Sequence, residues 1–262
     1  MMASDTAVPA HLATRSPRAQ KWRLGAALWL LGLPGVVAVV WALVPPLAAH
    51  QALLPLPLWA MVLLSGLQTA VLLALCVALG VALAPRVGLA APAVSAWLQG
   101  QPVAGPFRRQ WAPGLVGGLA GALWLWGLSL VAPQALRPSD PAGAASLGVK
   151  LLYGGISEEL LVRWGVMSLL LWLGWRFVQR GQGTPGRGIV AAAVVASALL
   201  FALGHLPAAQ AMAGVLTPSV VAFVLVGNTA FGLVAGWLYA RHGLEAAILA
   251  HVLAHALSHP FV

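Results

Sequence analysis

Long apolar runs, separated by short polar or basic breaks, set the pattern of this chain. Apolar residues fill nearly every position over about 24–49, 56–84, 112–136, 147–175, 188–206, 218–240 and 244–259. Such runs have no polar face, as expected of helices surrounded by lipid. Most reach the roughly 20 residues a helix needs to cross the hydrocarbon core of a bilayer. The pattern predicts an all-α fold, a polytopic transmembrane helix bundle of about seven spans, or eight if one helix escapes the pattern. Three segments follow: a polar, basic tail over 1–23, a first group of transmembrane helices over 24–146, and a helical core over 147–259. The tail shows no periodicity and is expected to be disordered. The first run is longer than a signal-peptide core and has no clear small-residue cleavage site, so it reads as a retained span. The stretch over 85–111 is proline-rich and only moderately apolar, consistent with a loop or a helix lying in the interface.

Composition agrees with the pattern. Of 262 residues 61% are hydrophobic and 7% charged, too few charges to cover a soluble domain of this length. The net charge of +9 could suggest nucleic acid, but the basic residues punctuate the ends of the apolar runs and form no patch. Arg15, Arg18, Lys21 and Arg23 precede the first run, and Arg86, Arg108 and Arg109 lie between the second and third. Arg176, Arg180 and Arg187 follow the fourth, and Arg241 follows the sixth. With seven spans all of these fall on one side, which the positive-inside rule places in the cytoplasm together with the N-terminus. The opposite loops hold Arg137, balanced by Asp140. The expected location is the cell membrane of a prokaryote, with lipids as the surrounding partner and no nucleic acid. A single cysteine, Cys76, excludes an internal disulfide. The glycines of "GLVGGLAG" and "FGLVAG" read as close helix packing.

Against this background "GISEELLVRW" stands out, because it sets two of the five acidic residues side by side inside an apolar run. On a helix Glu159 and Arg163 are four apart with the acid first, the order that lets them pair. Glu158 is rotated by roughly 100° from Glu159, and no base stands three or four positions away from it. One glutamate thus reads as structural, and the other as waiting for a partner from another helix. "FALGH" brings His205 to the end of the fifth run, and "ILAHVLAHALSH" spaces His251, His255 and His259 by four. A lone membrane histidine is as readily a hydrogen-bond donor between helices. Ionisable groups on three separate apolar helices are costly together and point to a functional site. His259, His242 and His50 sit at span ends and read as interfacial, and His11 lies in the tail.

A glutamate with two or three histidines can bind Zn²⁺, or can activate water without metal. A further histidine can donate to a developing oxyanion, and the set describes peptide-bond hydrolysis inside a membrane. The sequence contains neither HExxH nor GxSxG.

The stretches "EELLVR", "FALGH" and "HVLAH", in that order, resemble the CAAX protease and bacteriocin-processing enzyme family of type II prenyl-protein endopeptidases. That family carries Glu-Glu-x-x-x-Arg, Phe-x-x-x-His and His-x-x-x-Asn, each on its own transmembrane helix. "FGLVAGWLYARHGLEAAILAHVLAH" is similar to the family's last conserved block, and the resemblance covers about 150–255. It implies that Glu158 and His205 activate the hydrolytic water and that His251 polarises the substrate carbonyl. Glu159 with Arg163 would shape the site. The substrate would be a membrane-associated peptide or protein, lipidated or not. Members are described both as metal-dependent and as glutamate-dependent, so Zn²⁺ held by Glu158, His205, His251 and His255 is an open inference.

His255 departs from the family by standing where asparagine is usual. It can still donate to an oxyanion, or it can add a metal ligand. Asn228 is the nearest amide, as a displaced donor or as a packing group. The alternative function is a non-catalytic membrane partner, such as a peptide-immunity or scaffold protein that keeps the motifs for folding. A proton-coupled transporter ranks last, because no inverted repeat is visible.

Overall fold

The computed structural model describes residues 16–49, 51–53, 55–137 and 146–261, and these are all helical or connecting segments. His11, Arg15, His50 and Asp140, and most of the expected tail, lie outside the described residues. Helix α1 covers Pro17–Ala49 and α2 covers Leu58–Leu83. Two short helices follow, α3 (Pro92–Leu98) and α4 (Ala104–Arg108). Then come α5 (Trp111–Val131) and α6 (Leu147–Val178). The chain ends in α7 (Arg187–Gly204), α8 (Leu206–Ala213), α9 (Pro218–His242) and α10 (Leu244–Ser258).

Six of these helices, α1, α2, α5, α6, α9 and α7 joined to α8, are long and apolar enough to cross a membrane. The seventh expected span is α10, only 15 residues long. Gly243, held at φ +110°, breaks the chain before it, and a 3₁₀ turn over His259–Phe261 follows it. Large apolar side chains such as Leu63, Leu75, Val116, Leu123 and Leu130 remain exposed on the outside of the bundle. That is the surface a lipid-facing protein presents.

Helix α1 begins at Pro17, inside the segment expected to be a disordered tail. Ser16 caps it, its hydroxyl accepting from the Ala19 N–H at 3.3 Å, and Pro17 takes the first helical position where a missing N–H costs nothing. The basic residues Arg18, Lys21 and Arg23 therefore ride on a helix.

Small residues fix how the helices pack, since lipid offers little driving force beyond close contact. Helices α1 and α2 run antiparallel, Gly25 facing Val81 and Gly32 facing Leu73. Helix α6 occupies the centre. A side chain on Gly35 of α1 would run into the Leu152 carbonyl, one on Gly80 of α2 would overlap Trp164, and Gly165 lets Cys76 close in. Along α5, Gly114, Gly118 and Gly121 present backbone to Leu249, Leu253 and Ala254, so α5 and α10 run parallel in close contact. Gly232 and Gly236 of α9 do the same against Ala198 and Val194 of α7.

The segment between α2 and α5 is tied to the start of α10. The Leu244 N–H donates to the Ala90 carbonyl at 3.0 Å. The buried Gln110 side chain accepts from the Ala246 N–H at 3.0 Å, and Glu245 accepts from the Val94 N–H at 2.9 Å. Each side chain satisfies a helix N-terminal donor that has no partner inside its own helix.

Candidate active site

Residues Lys150–Ser157 and Glu159–Met167 of α6 are wound with π geometry. π turns ordinarily occur singly and favour functional positions, and here they cover Glu159 and Arg163 and flank Glu158 on both sides. Two carboxylates on neighbouring residues end in different environments. Glu159 is fully buried. One of its oxygens accepts from Nδ1 of His251 on α10 at 2.8 Å. The other lies 3.3 Å from Nε of Arg163, an ion pair one helical turn along rather than an aligned hydrogen bond. The Arg163 guanidinium donates through Nη2 to the Gly232 carbonyl of α9 at 3.2 Å. It also stands 4.7 Å above the centre of the Phe201 ring of α7. Opposite charge, a backbone carbonyl and an aromatic face together compensate a cation with no access to water.

Glu158 instead faces a cavity of about 700 Å³, whose wall it shares with His205, His251 and His255. His205 sits where α7 ends, because Pro207 cannot continue the same helix. Its Nδ1 donates to the Phe201 carbonyl at 2.8 Å, a bond that fixes the tautomer and leaves the Nε2 lone pair free. That Nε2 lies 3.9 Å from Glu158 Oε1. His251 is oriented in the same way, its Nδ1 on Glu159 and its Nε2 free. Its ring stacks on His255 with centroids 4.9 Å apart and leans on Phe231 at 4.6 Å. The rest of the wall is mostly apolar, including Leu125, Leu128, Phe223 and Phe231, with Asn228 and Arg137 as further polar groups.

The residues singled out from sequence thus divide. Glu158, His205, His251 and His255 line the cavity, while Glu159 and Arg163 lie behind it and hold His251 in place. Asn228 lines the cavity, and its amide nitrogen bonds back to the Val224 carbonyl one turn earlier at 2.9 Å. His259 is exposed beyond the end of α10. His242 packs edge-on to Trp237 at the far end of the bundle. Sequence reasoning missed Gly154. A side-chain carbon there would stand 3.1 Å from His255 Nε2 and 3.9 Å from Glu158 Oε2, so its lack of a side chain lets α6 meet the histidine helix. The signal was present in "GG" one turn before "EE".

The donors suit zinc in kind but not in arrangement. Among the described residues no three His, Cys, Asp or Glu side chains are set to hold a metal ion. His251 and His255 are stacked face to face and do not converge on a common point.

The order of the three motifs, their placement on α6, α7 and α10 and their meeting at one cavity find a counterpart among known proteins. Residues 141–257 match the family model described as type II CAAX prenyl endopeptidase Rce1-like. No curated protein and no solved structure matches the chain. Residues 141–257 of this multi-helix membrane protein are a domain of the Rce1-like type II CAAX prenyl endopeptidase family, a family of proteases.

Proposed function

We propose that the protein is an intramembrane endopeptidase that hydrolyses a peptide bond in a membrane-associated protein or peptide. In this reading α10 fills the bilayer as a seventh helix beside the six long ones, and the N-terminus lies in the cytoplasm. The observation that carries the reading is the contrast between the two glutamates: Glu159 is locked by the Arg163 guanidinium and the His251 N–H, while Glu158 is held 3.9 Å from a free imidazole nitrogen at the wall of a cavity.

At that separation Glu158 and His205 are too far apart for a direct hydrogen bond. A water taken between them can donate one hydrogen to the Glu158 carboxylate and the other to Nε2 of His205. As the water oxygen attacks the substrate carbonyl carbon, its proton passes to Glu158. The same carboxyl then delivers that proton to the departing amine as the C–N bond breaks. The carbonyl oxygen gains charge and needs an N–H donor. His255 can offer one as a neutral imidazole. His251, whose Nδ1 hydrogen is committed to Glu159, offers a second only as an imidazolium. Because the donors do not fit a metal ion as arranged, no step is assigned to zinc.

The test is peptide hydrolysis by detergent-purified protein and its Glu158→Gln variant, with folding checked by thermal unfolding. Glu158→Gln keeps the shape and removes the base, so the expected result is a folded protein without turnover. Full activity in this variant would remove Glu158 from the mechanism. If the wild type itself cleaves no peptide, the chain is a non-catalytic membrane partner that keeps the motifs for folding.

A further inference from the structure

The two ends of the bundle differ in charge, and the cavity belongs to one of them. Arg18 and Lys21 of α1 line one groove with Arg86, beyond the end of α2. Arg109, before α5, and Arg241, at the end of α9, line another with Pro92 and Pro106. Arg241 also shares a groove with Arg187 at the start of α7. The Leu244-to-Ala90 bond ties the start of α10 to the same end. These cations therefore gather at one end of the molecule, and within the described residues the ion pairs of the protein lie elsewhere.

Every wall of the catalytic cavity points the other way. Helix α5 starts at the basic end and contributes its last residues, Leu125 to Leu130. Helix α7 starts there at Arg187 and contributes Phe201 and His205, the latter about 27 Å further along at 1.5 Å per residue. Helix α9 ends there and contributes its first half, from Phe223 to Phe231, and α10 contributes its second half. The wall then runs on past α5 through Ala132 and Leu136 to Arg137, which is exposed. Arg137 and Lys150 are the cations of this end, against the clusters of the other.

Basic clusters at membrane-helix ends mark the cytoplasmic side. We infer that the cavity opens away from the cytoplasm, so that the substrate is a mostly apolar peptide segment presented from the outer face of the membrane, such as part of an exported or outward-anchored protein. A lipidated C-terminus of a cytoplasmic protein would arrive at the wrong end. This rests on the endopeptidase reading for the word substrate, but the sidedness of the cavity stands apart from it.

The test is labelling with a sulfonated, membrane-impermeant maleimide in intact spheroplasts and again after permeabilisation. The native Cys76 is buried, so the unmodified protein gives the background. Ser129→Cys places a thiol in the cavity wall, Gln134→Cys places one on the exposed turn beside it, and Thr184→Cys places one on the exposed loop between α6 and α7 at the basic end. The expected result is complete labelling of Ser129→Cys and Gln134→Cys before permeabilisation, with no gain afterwards, and labelling of Thr184→Cys only afterwards. The reverse pattern overturns the inference. If Ser129→Cys is shielded, Gln134→Cys alone decides, and its labelling only after permeabilisation is equally fatal. Labelling requires no turnover, so a protein with an outward cavity and no peptidase activity would sink the proposed function and leave this inference standing.

Discussion

Removing the Glu159 carboxylate tests whether the buried trio holds the site. Glu159→Ala deletes the partner of Arg163 and the acceptor of His251 in one step, and leaves a fully buried guanidinium whose remaining support is the Gly232 carbonyl and the Phe201 ring. Breaking a buried ion pair from one side costs about 3–5 kcal/mol. Inside a bilayer the loosened helices find substitute partners, which trims such terms. A working value is therefore the lower end, about 3 kcal/mol, or roughly a hundredfold in the ratio of folded to unfolded protein. Reversible unfolding in mixed micelles, followed by helix content, measures this directly. Glu159→Gln keeps an acceptor for the His251 N–H and should lose less. Pairing Glu159→Ala with Arg163→Met removes the stranded cation, and the double variant should be more stable than Glu159→Ala alone. The reasoning fails if Glu159→Ala unfolds within about 0.5 kcal/mol of the unmodified protein, the range of ordinary surface changes.

Further predictions concern the cavity. Gly154→Ala should fold with little loss yet lower kcat/KM by roughly threefold to tenfold, because a Cβ 3.1 Å from His255 Nε2 pushes the imidazole by a few tenths of an ångström, a fraction of the 1 Å that costs about a hundredfold; unchanged kinetics would show that the approach of α6 to His255 is incidental. His255→Asn keeps an N–H donor and should retain most activity, whereas His255→Ala should lose about 10²–10³-fold in kcat. Equal rates for the two variants would remove His255 from carbonyl polarisation. Metal analysis of the purified protein should give no stoichiometric zinc, and a strong chelator should leave hydrolysis intact. Loss of activity on chelation, restored by Zn²⁺, would show that the side chains rearrange around a metal.

The long helices were legible because lipid imposes a rule that acts residue by residue, and hydropathy reads it locally. The start of α1 was not read, although Ser16 and Pro17 are an N-terminal signal, because neighbouring basic residues outweighed the cap in a reading based on polarity. The different fates of Glu158 and Glu159 were visible through the spacing to Arg163. The bond from Glu159 to His251 was not, since it joins residues on separate helices whose meeting depends on the glycine contacts of α5, α6 and α10. Gly154 escaped notice for the same reason, as its value lies in what approaches it. The short helices α3 and α4 fall within the proline-rich stretch that composition read as either a loop or a helix lying in the interface.

Helix α10 measures about 22 Å, while α5, which starts beside it and runs parallel, extends for about 31 Å. Its final turns carry His255 and Ala254, which border the cavity. The last turns of α5 thus run about 9 Å further than α10 itself, and a 3₁₀ turn over His259–Phe261 follows Ser258. Water entering the cavity therefore meets its glutamate and histidines on α6, at the end of α7 and on the later turns of α10, and the outward apolar faces of the surrounding helices stay free for lipid.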